Sequence, residues 1–78
     1  YGTSLWIAFA DKDDYTNKEA ELFELLSENK GKDKVIIYLV KEKQSKMLPA
    51  MYRVDSNDTL VEKLKAMYGE KFVTKVLE

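Results

Sequence analysis

The sequence predicts an α+β domain of the order β-α-β-β-α-β: a two-layer sandwich in which one four-stranded sheet carries two helices on one face. Three observations predict it. Residues 35–40 (Val-Ile-Ile-Tyr-Leu-Val) are six consecutive apolar side chains, nearly all β-branched or aromatic, the mark of a strand inside a sheet. Two other stretches space their apolar residues as helices do, and strand-forming runs stand at both ends of the chain.

The first strand is expected over residues 4–10, where large and small side chains alternate and Leu5, Ile7 and Phe9 fall on one face. The acidic turn Asp11-Lys12-Asp13-Asp14 follows. Thr16 with Glu19 three residues later has capping-box spacing, with Tyr15 as the staple before it, so a helix is expected from there to Asn29. Leu22, Phe23, Leu25 and Leu26 form its apolar stripe, and Gly31 fits a stop after its end. The central strand at 35–40 is expected to be covered on both faces. Beyond the polar connection 41–45, a weaker strand over 46–54 is interrupted by Pro49, which has no N–H for a ladder, so it should lie at an edge or break in a bulge. Asp55 or Ser56 caps a second helix, whose face is Leu60, Val61, Leu64, Met67 and Tyr68 and which Gly69 ends. Residues 72–77 are the last strand. No linker, repeat or low-complexity segment interrupts this order, so residues 1–78 are read as one domain. Tyr1-Gly2 runs almost directly into a strand with no start methionine, which predicts a piece of a longer chain.

Composition narrows the chemistry. With 78 residues, 45% of them hydrophobic and 35% charged, the chain falls in the globular range, and a domain of this size has a modest core. A net charge of −1 gives no global field toward nucleic acid or an acidic membrane, so any attraction must come from a local patch. No cysteine means no disulfide, thiol nucleophile or thiolate metal site, which fits a reducing, cytoplasmic setting. No histidine leaves no side chain that titrates near neutrality unless a carboxylate or lysine is strongly shifted. No apolar run reaches the roughly 18 residues of a membrane span.

The residues supply no catalytic, cofactor or metal constellation. Asp11, Asp13 and Asp14 are the one acidic cluster, but a calcium loop starting at Asp11 would need an oxygen ligand at Tyr15, glycine at Thr16 and glutamate at Leu22. Acids at a helix start are favoured by the helix dipole, which accounts for them structurally. The glycines stand singly and form no phosphate loop. Two lysine clusters, Lys30/Lys32/Lys34 and Lys41/Lys43/Lys46, flank the central strand and read more naturally as edge protection than as one groove. Arg53 is the single arginine, a poor provision for bidentate phosphate or base recognition. The element order invites comparison with the RRM, whose sheet aromatics stack bases. Trp6 and Tyr38 suit that use, but residues 46–52 lack its glycine-aromatic pattern.

Three segments together resemble the extreme C-terminal domain of the bacterial replicative DNA polymerase III alpha subunit. They are residues 5–15 (LWIAFADKDDY), residues 31–39 (GKDKVIIYL) followed by Leu48-Pro49, and Val54-Asp55 with Leu60-Val61-Glu62-Lys63-Leu64 and Tyr68-Gly69-Glu70. The likeness spans nearly the whole chain, and its motifs mark packing and turns rather than catalysis. Members often carry proline before the central strand, where this chain has Lys34. The resemblance implies a non-catalytic piece lying after the oligonucleotide-binding barrel and away from the polymerase carboxylates. It further implies a role in tethering the polymerase to the clamp-loader tau subunit and to neighbouring polymerase domains during DNA replication. The alternative is an RRM-like domain for single-stranded nucleic acid. In either case the pleat sends Trp6 and Ala8, with Ile36 and Tyr38, to the sheet face away from Leu5, Ile7 and Phe9. Trp6 and Tyr38 are therefore the expected partner-binding residues, with Lys41 and Lys43 nearby tuning association.

Overall fold

A computed structural model describes residues 2–77. The chain runs β1 (Thr3–Phe9), α1 (Lys12–Glu28), β2 (Lys30–Leu39), β3 (Gln44–Met47), α2 (Asp58–Tyr68) and β4 (Val73–Leu77), with single 3-10 turns at Ala50–Tyr52 and Glu70–Phe72. The expected α+β element order is what the chain adopts. The strands form one mixed sheet in the order β3-β2-β1-β4. α1 connects β1 to its parallel neighbour β2, while β4 lies antiparallel to β1 and β3 antiparallel to β2.

Alternation along the strands decides where the core sits. Leu5, Ile7 and Phe9 of β1 register with Val35, Ile37 and Leu39 of β2, and Ile7 with Val73 of β4, so these side chains share a face. Against it pack Leu22, Leu25 and Leu26 of α1 and Leu60, Val61 and Leu64 of α2, all buried. Phe9 sits at the centre of an aromatic group, edge-on to Tyr15 at 5.3 Å and to Tyr68 at 5.4 Å between ring centroids. Burial pushes both phenols up to about 12.

Several local expectations are corrected. The first helix begins a turn earlier than the Thr16–Glu19 spacing suggests: Asp11 is its N-cap and accepts from the Asp14 N–H at 2.8 Å. Asp14 reaches back to the Ala10 N–H, and Thr16 Oγ1 donates to the Lys12 carbonyl from within the helix. Gly31 does not stop that helix but lies inside β2, which starts at Lys30 rather than Val35, so Lys30, Lys32 and Lys34 belong to the strand. A Cβ at Gly31 would collide with the backbone of Val54 and Asp55, which crosses β2 there. Only one face of β2 is covered: Ile36 and Tyr38 are half-buried on the other, and Val40 lies beyond the strand, exposed. The weaker strand is an edge, as the proline requires, but it spans only Gln44–Met47. The chain leaves β2 at Pro49, makes a 3-10 turn whose Tyr52 stacks on Phe23 at 4.5 Å, and bridges back to β2 through Val54. The second helix is capped by Asn57 rather than Asp55 or Ser56; its side chain accepts from the Leu60 N–H at 2.9 Å. Gly69 does end it, at φ 106°, a value that favours glycine. The last strand begins at Val73, after Phe72.

Candidate functional site

The sheet has one covered face and one open face, and the open face concentrates what the chain has to offer a partner. Register pairs Trp6 with Ile36 and with Thr74, Ala8 with Tyr38, and Ile36 with Met47, which puts these side chains and Val76 on the sheet face away from the helices, where Ser4, opposite Val76, is buried. Trp6 and Tyr38 are thus brought together where the alternation predicts. With Ala8, Phe72, Thr74 and Val76 they line a hollow of about 300 Å³. Phe72, in the lining of the hollow, is 41% exposed, and Met47, 55% exposed opposite Ile36, extends the apolar surface beyond the hollow toward β3.

The charges beside it are not the ones expected. The lysine lining this hollow is Lys71, from the turn before β4. Lys41 lines a different depression with Asp11, Lys12, Asp13 and Glu42, and Lys43, at φ 54°, sits in the exposed β2–β3 turn. Sequence reasoning missed both Lys71 and Phe72. They stand next to Trp6 only because β4 pairs with β1, and no local pattern in the chain signals that pairing.

On the helix side, one polar cluster has the composition of a reactive site. Asp33 Oδ2 accepts from the Ser56 N–H at 2.9 Å and from the Ser56 hydroxyl, while Lys75 Nζ donates to the Ser56 carbonyl at 2.6 Å. These hydrogen bonds from Ser56 hold the Asp33 carboxyl below the ordinary aspartate range, which makes it a poorer proton acceptor, and Ser56 is only 2% exposed. A nucleophile needs a competent base and access to substrate. This cluster has the geometry of a fastener joining β2, the loop before α2, and β4. Near the start of α1, Asp14 pairs with Lys18 at 2.9 Å, and the hydrogen bond from that lysine lowers the Asp14 carboxyl. Asp11, Asp13 and Asp14 do not converge as a metal site, and no metal-holding group of His, Cys, Asp or Glu occurs among the described residues.

A groove of about 350 Å³ separates α1 from β3, where Tyr15, Thr16, Glu19, Leu39, Gln44 and Lys46 face one another. It exists because the short edge strand extends past the cover of α1. Its lining carries both acidic Glu19 and basic Lys12 and Lys46. No helix among the described residues is long and apolar enough to cross a membrane.

An RRM uses the split form of this element order, in which another strand lies between the first strand and its parallel partner. Here β1 and β2 are direct neighbours. Comparison with family models, with curated proteins and with solved structures finds no match to this chain.

Proposed function

We propose that the chain is a non-catalytic interaction domain of a bacterial DNA polymerase III alpha subunit. In this reading it acts in the cytoplasm, tethering the replicative polymerase to the clamp-loader tau subunit and to neighbouring polymerase domains. The resemblance of residues 5–15, of 31–39 with 48–49, and of 54–55 with 60–64 and 68–70 to that family supports the identity. The observation that supports the mode of action is the open sheet face, where Trp6, Ile36, Tyr38, Met47, Phe72 and Val76 form a connected apolar surface that no helix covers. An exposed apolar patch of this kind usually marks a contact surface in a soluble protein. Its charged neighbour Lys71 serves charge specificity and encounter more than raw affinity.

The test is a titration of the chain with the clamp-loader tau subunit, comparing wild type with Tyr38→Ala and with Lys41→Ala/Lys43→Ala. The expected outcome is binding by wild type, a loss of about tenfold or more in affinity for Tyr38→Ala, and a change of about threefold or less for the lysine pair. A folded Tyr38→Ala variant that binds like wild type, with binding abolished in the lysine pair, would move the site to the β2–β3 turn. Quenching of Trp6 fluorescence by single-stranded DNA at physiological salt, with no response to tau, would instead favour the nucleic-acid reading.

A further inference from the structure

The two edges of the sheet are finished differently. β3 is four residues long, follows Lys43 in a left-handed conformation, carries Lys46, and gives way to Pro49. Short length, lysine and proline are the ordinary means of blunting an edge against further pairing. β4 has none of these. It runs five residues without proline, and its one charged side chain, Lys75, is drawn to the helix side by the hydrogen bond to the Ser56 carbonyl. Among the described residues β4 pairs with β1 alone, so its outer row of N–H and C=O groups faces outward.

What lies beside that row is apolar. Phe72 and Val76 stand at the border of the hollow that Trp6, Ala8 and Tyr38 complete, and among the described residues Lys71 is the only charged side chain lining it. A partner strand laid along β4 would send every second side chain onto this face.

We propose that the free edge of β4 takes up an extended, acidic segment of a partner protein as a fifth strand. Apolar side chains of the segment settle in the hollow, and a carboxylate faces Lys71. The inference rests on the reading of the chain as an interaction domain and specifies the segment that such a domain holds. Charge separates this occupant from the alternatives. A second copy would bring its own Lys71 and Lys75, with no acid between residues 71 and 77, so that like charges would meet across the new ladder. A nucleic-acid strand does not match the alternating donors and acceptors of a strand edge, and among the described residues it would find a single lysine in the hollow to meet its phosphates.

The experiment selects random short displayed peptides on the 78-residue chain, then follows amide hydrogen exchange in the resulting complexes. The expected result is enrichment of peptides that alternate apolar residues with Asp or Glu, and slowed exchange of alternate amides in β4. Val76→Glu, at an exposed position, is expected to weaken those peptides about tenfold or more, and Lys71→Glu to turn the selection toward Lys- or Arg-bearing peptides. Circular dichroism verifies that both variants fold. Protection confined to α1, α2 or β3, or binding indifferent to both substitutions, overturns the proposal. So does concentration-dependent dimerisation with β4 protected in the absence of peptide, or protection of β4 by oligothymidylate alone. Binding of the tau subunit with β4 amides still exchanging fast overturns strand addition but leaves the interaction domain standing. Peptides seated on β4 by a chain that ignores tau support strand addition and overturn the polymerase assignment.

Discussion

At Asp33 one carboxylate joins two distant parts of the chain, accepting from both the backbone and the hydroxyl of Ser56. Those bonds favour the ionised form and lower its pKa on folding. A depressed folded-state pKa contributes stability that is fully present above the unfolded value and lost as pH falls through the lower folded one. Urea unfolding of wild type and Asp33→Asn across pH should therefore show a gap in midpoint at neutrality. That gap should close as the solution is acidified below about pH 4, the ordinary aspartate range. Tyr68 presents the opposite case. Its hydroxyl is buried without a hydrogen-bond partner among the described residues, while its ring packs on Phe9 and lies 6.0 Å from the Lys18 ammonium. Removing a buried, unpaired polar group relieves a desolvation cost of about 1–3 kcal/mol. Tyr68→Phe is expected to leave the thermal midpoint unchanged or raise it, and a fall of several degrees would reveal a hydrogen bond that the hydroxyl makes.

The second helix was legible because its apolar positions fall on one face without competition. Leu60, Val61 and Leu64 are buried, and Met67 and Tyr68 pack against the same core. Leu64→Ala leaves a cavity in the middle of that face and should cost about 2–5 kcal/mol, measured by chemical denaturation. The start of the first helix was harder to place for a physical reason. Asp11 with Asp14 and Thr16 with Glu19 both have the three-residue spacing of a reciprocal cap, and local sequence does not rank them. The choice is made by β1, which ends at Phe9 and brings Asp11 to the turn. The edge strand shows a similar mixture. Pro49 correctly marked the break, but the return of Val54 to the side of Lys30 and Asp33 depends on a close approach over Gly31. From sequence alone that glycine looks like an ordinary helix stop.

For the molecule as a whole, element order and the helix-bearing face were readable, because alternation and helical spacing are properties of each segment. Strand order was not, because it depends on pairings between segments far apart. This difference also divides the candidate site. Trp6 and Tyr38 were found from the pleat of their own strands, whereas Lys71 and Phe72 entered only through the pairing of β4 with β1. That pairing sets Thr3 directly opposite Leu77, so the first and last strands end side by side. Neighbouring ends of this kind tolerate rewiring of the backbone. A circular permutant joined across Thr3 and Leu77 by a short Gly-Ser linker, and opened in the exposed turn at Glu42, should keep the four strands and both helices. Its thermal midpoint is expected near that of the parent. Its refolding rate in stopped-flow measurements should stay within about tenfold of the parent's, since the β1–β4 pairing becomes a hairpin while the opened β2–β3 hairpin becomes the most distant pairing, so the long loop is moved rather than removed.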